Sequence, residues 1–337
     1  MCLQTFQWRD NAKARLDQKR GGEQRAMKTG ALIIAAGHEG EQEDFRPLLP
    51  AGDSTVIRRI ILTMKQAGVD PVVVVTGRRG AVLEKHIGGL GAICLRNEDY
   101  ENTQMFYSIS KGLAYIKNLC DRVFILPAKF PMFLPATVRR LMECEAPVVC
   151  PVRAGRRGHP VLLSVSVIDA VASYQGSFGL RGALSQEGLA GQTAEVPVED
   201  EGIILAVDTK EDCARPLVEE GKIPVHPEAS LSLWRNEEFF SPFAARFLSL
   251  IDYTGSIQTA CRQLHISYTK GWTMLKTVQH QLGFPILFTQ SGGAGGGFSR
   301  LTPQARNFLS RYFEMEQELC REGERLFARF FPEYGEE

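Results

Sequence analysis

The chain has 337 residues, of which 44% are apolar and 23% charged, with 39 basic and 39 acidic side chains. That balance excludes a largely disordered chain and is enough for two domains with separate cores, while a net charge of zero leaves any nucleic-acid surface to local clustering. There is no run of eighteen apolar residues, and the eight cysteines are scattered without a C-x-x-C pair; a membrane span, a zinc site and a disulfide framework are therefore not expected, and a cytoplasmic chain with reduced cysteines is.

Residues 1–28 are polar and basic, carrying Arg9, Lys13, Arg15, Lys19, Arg20, Arg25 and Lys28 with little apolar periodicity. They read as a disordered arm, or as sequence upstream of the true start, and not as a secretory signal. From 29 to 221 the pattern is α/β. Short aliphatic or β-branched runs at 31–35, 71–76, 92–95, 122–126 and 147–151 alternate with helix-length amphipathic stretches, and the pattern continues through 161–163 and 203–207. Such alternation predicts a Rossmann-like, mainly parallel sheet with helices on both faces and ligands at the carboxyl ends of its strands. Residues 222–237, opening with Pro224 and Pro227, read as a linker.

Residues 238–331 are α-rich. A helix over 238–253 places Phe240, Phe243, Phe247, Leu250 and Ile251 on one apolar face and ends at Gly255, a natural C-cap. Ser256 is positioned to cap a short helix bearing Ile257, Ala260 and Leu264. After the turn at His265 and Ile266, Ser267 opens a helix to about 282. Burial of Trp272, Leu275, Val278 and Leu282 leaves Tyr268, Thr269, Lys270, Thr273 and Lys276 outward, side chains of the kind that read a major groove. Two β-type segments, 285–288 and 298–301 with Arg300, flank the glycine run 292–297 and suggest a hairpin able to approach phosphates. A final helix from Thr302-Pro303 to about 330 carries Phe308, Leu309, Tyr312, Phe313, Met315, Leu319 and Phe327, and its length suits homodimerisation. Between 239 and 311 the basic residues are Arg246, Arg262, Lys270, Lys276, Arg300, Arg306 and Arg311, against the single acid Asp252. The segment predicts a winged helix-turn-helix with duplex DNA as partner; a helical bundle with an incidental loop is the alternative. Gly255-Ser256-Ile257, Ile266-Ser267-Tyr268, Trp272, the glycine run and Leu301-Thr302 follow the order of the DNA-binding domain of the molybdate-responsive ModE repressors, which residues 239–319 resemble, and more distantly that of LysR-type regulators. The resemblance implies DNA contacts from Ser267, Tyr268, Thr269, Lys270, Thr273, Lys276 and Arg300.

In the first domain, Ala35-Ala36-Gly37 follows the first strand and residues 44–50 (DFRPLLP) come shortly after, the layout of a phosphate-cradling loop. Together with Thr76-Gly77, Arg96-Asn97, residues 156–160 (RRGHP) and residues 207–212 (VDTKED), this resembles the MobA and MocA-like molybdenum cofactor nucleotidyltransferases over 30–220. The resemblance implies transfer of CMP or GMP from a nucleoside triphosphate to molybdopterin with Mg²⁺. It puts Ala35, Ala36, Gly37, Thr76 and Gly77 at the nucleotide, Asn97, Arg156, Arg157, Gly158 and His159 at the acceptor, and Asp208 at a metal position; Asn97, Gln104 and Ser108 match less distinctive positions near the nucleotide or acceptor pocket, where loop or core structure is the equal alternative to contact. For 156–160 a basic surface turn, with His159 capping a strand, is the bland alternative.

Two departures bear on catalysis. The family loop runs A-A-G-x-S-x-R-M-G-x-x-K, and here Glu41 stands at its arginine, Glu43 at its second glycine and Arg46 at its lysine. With Glu39 and Asp44 nearby, a triphosphate meets repulsion where attraction is needed. The family's second metal aspartate lies in G-D-x-P, whereas residues 127–131 (PAKFP) place Lys129 there. Each unit of charge about 4 Å from the ion is worth roughly 4 kcal/mol at an effective dielectric near 20. Lys129 has two roles open to it: pairing with Asp208 or the acidic loop, or clamping phosphate in place of the metal. Arg46, Lys129 and Asp208 are the candidate catalytic set.

Two readings follow. In the first, the chain is a transcriptional regulator linked to molybdenum cofactor metabolism, whose nucleotidyltransferase-like domain has reduced or lost catalysis and senses a nucleotide or molybdopterin-type molecule without a cofactor. In the second, it is a working Mg²⁺-dependent CTP or GTP:molybdopterin nucleotidyltransferase that also regulates transcription. A pure dimerisation scaffold would leave the acceptor-side residues without a purpose.

Overall fold

All seven residues of Thr29–Ala35 (β1) are buried, and a strand without a wet face belongs in the middle of a sheet covered on both sides. The computed structural model places it there and describes residues 27–37, 45–219, 225–264, 266–290 and 298–334. The expectations for residues 1–26, the acidic loop 38–44, His265 and the glycine run 291–297 fall outside the described residues.

After β1 come the small hairpin Pro50–Ala51 (β2) and Ser54–Thr55 (β3), helix Val56–Gln66 (α1), strand Val72–Thr76 (β4), helix Gly80–Ile87 (α2), strand Ile93–Arg96 (β5), helix Met105–Ile116 (α3), strand Arg122–Pro127 (β6) and helix Pro135–Glu143 (α4). Strands Val148–Arg153 (β7), Arg156–Arg157 (β8) and Val161–Ser164 (β9) follow, then helices Val165–Ala172 (α5), Gly179–Leu184 (α6) and Glu187–Ala190 (α7), strand Thr193–Pro197 (β10), and the short helices Lys210–Cys213 (α8) and Pro216–Glu219 (α9). The sheet order is β10-β7-β9-β6-β1-β4-β5, with β8 paired to β7. Its pairs are parallel except where β9 runs antiparallel between β6 and β7 and where β8 folds back on β7. Alternation along the strands sends Ala31, Ile33, Val72 and Val74 to one face, under α1, α2 and α4, and Leu32, Ile34, Val73 and Val75 to the other, under α3 and α5. Gly112 lets α3 settle onto β1, since a Cβ there would collide with the Leu32 side chain.

Two element expectations fail. Residues 203–207 form no strand: Asp200 caps a 3-10 turn at Glu201–Ile203, accepting from the Gly202 amide at 2.8 Å, and Ile203 and Val207 are buried without joining the sheet. The edge strand there is β10 instead, whose half-exposed TAEVP sequence lacks an apolar run. The helix expected over 238–253 starts later. Glu238–Phe240 (β12) pairs with Leu233–Trp234 (β11), and Pro242 opens helix Pro242–Thr254 (α10).

The remaining elements are helix Ile257–Gln263 (α11), helix Tyr268–Leu282 (α12), strands Leu287–Gln290 (β13) and Phe298–Leu301 (β14), and helix Pro303–Phe330 (α13). Gly255 closes α10 in the left-handed region at φ 68°, while Ser256, Ser267 and Thr302 cap α11, α12 and α13 with their side chains. Leu275 and Val278 are buried as expected, whereas Trp272 and Leu282 are only partly so. Gly271 carries the crossing of the two short helices: a Cβ would lie 2.5 Å from Cys261 Sγ and 2.8 Å from Phe247 Cζ.

The C-terminal unit packs on the α3 side of the sheet, and one apolar cluster runs from Leu32 and Val73 through Leu113 and Tyr115 into Phe247, Leu250 and Leu309. At the joint the Tyr115 and Tyr253 rings meet edge-to-face at 4.4 Å, and Tyr253 Oη donates to the Lys111 carbonyl at 3.3 Å.

Candidate nucleotide site and nucleic-acid interface

The carboxyl ends of β1, β4 and β6 meet at one rim. The Ala128 amide donates to Ile34 O at 2.9 Å. Gly77 lies so near the first loop that a Cβ would be 3.0 Å from both Cα and O of Ala36 and 2.8 Å from Tyr100 Cβ, so the loop after β4 rests on the loop after β1 only because it has no side chain there. Ala35, Ala36, Gly37 and Gly77 are thereby brought together. Thr76 is fully buried, and its hydroxyl donates to Glu84 Oε1 at 2.7 Å. The same carboxylate takes Arg96 in a two-pronged pair of 3.1 and 2.6 Å. Asn97 is 1% exposed; its amide donates to Thr103 Oγ1 at 2.9 Å and Ser108 Oγ at 3.1 Å, and its oxygen accepts from the Asp99 amide at 3.1 Å. The polar groups of Thr76 and Asn97 thus hold the loops after β4 and β5 in place.

Asp208 stands opposite. The Val207 amide donates to the Lys129 carbonyl at 2.8 Å, which sets the next residue, Asp208, beside the Lys129 side chain. Lys129 Nζ lies 3.3 Å from each Asp208 oxygen, and Arg46 Nε lies 3.0 Å from Oδ1. The Asp208 amide donates to Asp212 Oδ2 at 2.8 Å, fixing the backbone from behind. One carboxylate held by two cations does not fit a divalent metal: each cation about 4 Å from such an ion would repel it by roughly 8 kcal/mol at an effective dielectric near 20, before solvent screening. Among the described residues there is no group of three or more His, Cys, Asp or Glu side chains placed to hold a metal. What the site offers instead is exchange, because an oxyanion can take Lys129 and Arg46 from Asp208.

Next to the β1 loop, Arg79 adopts φ 53°, a left-handed conformation that costs about 1 kcal/mol outside glycine. Its guanidinium lies 5.1 Å from the centre of the Phe45 ring, one residue before Arg46. Sequence reasoning passed over Arg79; the available signal was a pair of arginines between Gly77 and Gly80, directly after Thr76.

At the turn expected to face the acceptor, Gly158 is required by close approach, since a Cβ would sit 2.5 Å from the Ile203 carbonyl oxygen. The His159 amide donates to that carbonyl at 2.8 Å. The His159 ring packs against Phe130 at 4.6 Å, and Lys129 Nζ lies 5.5 Å from the Phe130 ring centre. Arg156 and Arg157 are exposed in the β8 turn, and Arg157 Nε donates to Glu195 Oε1 on β10 at 2.7 Å.

The DNA-type face is built from α12 and the β13–β14 hairpin. Ser267, Tyr268, Thr269, Lys270, Thr273 and Lys276 are all exposed, while Gly271, Leu275 and Val278 face the core, so a single side of α12 is polar and outward. Ser267 Oγ accepts from the Lys270 amide at 3.2 Å, which starts the helix at the residues that would enter a groove. Arg300 is exposed on β14, opposite Phe288. Asp252, the one acid of this basic segment, is held by Arg306 through two contacts of 2.7 Å and accepts from the Leu301 amide at 3.0 Å. It anchors the base of the hairpin to α10 and α13, and its charge is neutralised there.

Burial, aided by the nearby Lys129 ammonium, pushes the His159 pKa from 6.5 down to about 4, against the opposing effect of a backbone contact with Ile125. The folded state therefore holds His159 neutral, and the unfolded chain binds the proton more readily. The stability that depends on this is fully present above pH 6.5 and is lost as pH falls through about 4. Urea midpoints measured between pH 7 and pH 4 should fall more steeply for the native chain than for His159→Gln; parallel curves would contradict a neutral buried imidazole.

Residues 31–192 match the family model for the MobA-like NTP transferase domain. The C-terminal part is similar to the molybdenum transport protein ModE of Herbaspirillum seropedicae, 35% identical over 75 residues, which are 21% of this chain and 28% of that protein. It is also similar to the transcriptional regulator ModE of Haemophilus influenzae, 32% identical over 79 residues, or 23% of this chain and 31% of that one. This chain thus spans under a third of the length of these curated relatives. Among solved structures, Rv0371c of Mycobacterium tuberculosis H37Rv aligns over 57% of this chain and 99% of its own with a TM-score of 0.50 and 23% identity, a likeness of fold. The chain joins a MobA-like NTP transferase domain, over residues 31–192, to a C-terminal part homologous to the ModE proteins.

Proposed function

We propose that the chain is a DNA-binding transcriptional regulator linked to molybdenum cofactor metabolism, in which the nucleotidyltransferase-fold domain senses a nucleotide or molybdopterin-type molecule and has reduced or lost catalysis. The observation that carries this reading is the capture of Asp208 between Lys129 and Arg46. A transferase of this kind needs a carboxylate open to Mg²⁺, and here that carboxylate is neutralised by the chain itself. Glu41 and Glu43 add negative charge to the loop that precedes Arg46. Binding of an anionic ligand suits the same residues, because phosphate oxygens can replace Asp208 on Lys129 and Arg46 and so move the segment that carries Asp208. The names of the ModE relatives supply the link to molybdenum and to transcription. The retained Gly158 and His159 support the second reading, an active transferase, by keeping the acceptor wall in its family form.

Duplex DNA is the proposed partner of α12 and the hairpin, and a second copy of the chain is the proposed partner of α13, where Met315 and Leu319 are exposed one turn apart.

Incubation with CTP or GTP, Mg²⁺ and molybdopterin should release no pyrophosphate from the native chain, and Lys129→Asp combined with Glu41→Arg should restore release. Turnover by the native chain at ordinary enzyme rates, about 1 s⁻¹ or more, would overturn the sensor reading. For DNA, the upstream region of its own operon should bind two chains per site, with affinity that falls as salt rises. Lys270→Ala should weaken it about tenfold and Thr273→Ala by less. Absence of salt-sensitive binding to any duplex removes the DNA assignment.

A further inference from the structure

A second cleft of about 710 Å³ lies at the other end of the sheet, between the two parts of the chain. Its walls come from Lys28, just before β1, and Asp121, just before β6, on one side, and from α10, β14 and α13 on the other. The loops after β1 and β6 lie at the far ends of these strands; the length of β1 alone separates the two sites by roughly 20 Å. The volume is that of a small-molecule site.

The polar groups that line it are unevenly satisfied. Of its acids, Asp252 is ion-paired with Arg306 and accepts from the Leu301 amide, while Asp121 accepts from the Lys28 amide at 2.8 Å and Glu314 from Ser310 Oγ at 3.2 Å. Lys117 pairs with Asp169 at 2.6 Å. Lys28 and Arg300 make no ion pair among the described residues: Lys28 Nζ lies 4.5 Å from the centre of Phe313 and acts on the partly buried Glu316 carboxylate only at longer range, and the Arg300 guanidinium lies 5.7 Å from the centre of Phe298. The Tyr115 hydroxyl, on a side chain 2% exposed, has no hydrogen-bond partner among the described residues. A buried hydroxyl left unpaired is destabilising, and a ligand acceptor would relieve it. Two cations that make no ion pair among the described residues, one unpaired buried hydroxyl and the rings of Tyr253 and Phe313 suit an oxyanion carried on an aromatic ring.

We propose that this cleft binds a small aromatic oxyanion, held by Lys28, Arg300 and the Tyr115 hydroxyl, and that its occupancy lowers affinity for DNA by withdrawing Arg300 from the wing. The proposal rests on the reading of α12 and β14 as a DNA interface and is independent of the Asp208 site.

The test uses the full chain with phenyl phosphate and benzoate as probes, inorganic phosphate as the ring-free arm, calorimetry for binding and fluorescence anisotropy for DNA. At least one ring-bearing probe should bind saturably and more tightly than inorganic phosphate, and should weaken DNA binding. Tyr115→Phe, which keeps the ring against Tyr253, and Lys28→Ala should each reduce probe binding about tenfold while leaving DNA affinity without probe unchanged. Lys129→Ala should leave probe binding unchanged, which separates this cleft from the nucleotide site. The proposal is overturned by no saturable binding up to about 10 mM, by binding that survives both cleft variants, by loss of binding in Lys129→Ala alone, or by binding that leaves DNA affinity unaltered. If the chain binds no duplex at all, the DNA interface has failed, and the calorimetric arm still decides whether the cleft is a site.

Discussion

The two halves of the molecule depend on the apolar layer that α3 shares with them. On one side it packs on β1, and on the other its Tyr115 enters the same cluster as Phe247 and Leu309 and meets the Tyr253 ring. Buried side chains at this joint hold the domains by packing as well as by a linker. A close-packed joint passes on displacement, whereas a tether of charged surface contacts would absorb it. That property gives the nucleotide rim a physical route to α12: α3 begins beside Asn97 and Ser108 and ends beneath α10.

At the rim, the Asp208 carboxylate is shared between Lys129 and Arg46, both partly exposed. In that setting the pairs add little stability, and their significance lies in what they exclude and what they can exchange. A metal is repelled by the same charges that attract an oxyanion. The turn at Gly158 and His159 is held by close packing at Gly158 and by burial at His159.

Much of this was legible in the residues. The apolar run at 31–35 marks a strand, Ser256, Ser267 and Thr302 mark three helix starts, and pairing with Asp208 is one of the roles that the Lys129 substitution leaves open. Other features were hidden for identifiable reasons. The β10 strand is an edge, exposed enough to read as polar, and the apolar residues at 203–207 bury themselves through a capped turn without pairing. The resemblance puts Thr76 and Asn97 at a ligand, with loop structure the equal alternative for Asn97, and the folded geometry gives both side chains internal hydrogen-bond partners. The meeting of Tyr115 with Tyr253, far apart in the chain, has no local sequence signal.

The central claim is that a ligand on the nucleotide rim is felt at α12. Anisotropy of a labelled duplex from its own operon, titrated with the full chain in the presence and absence of saturating CTP, GTP or molybdopterin, measures this directly. At least one of these ligands should shift the Kd for DNA by about fivefold or more, with DNA shifting the ligand's Kd by the same factor. A saturating ligand that leaves the Kd for DNA unchanged would contradict the account.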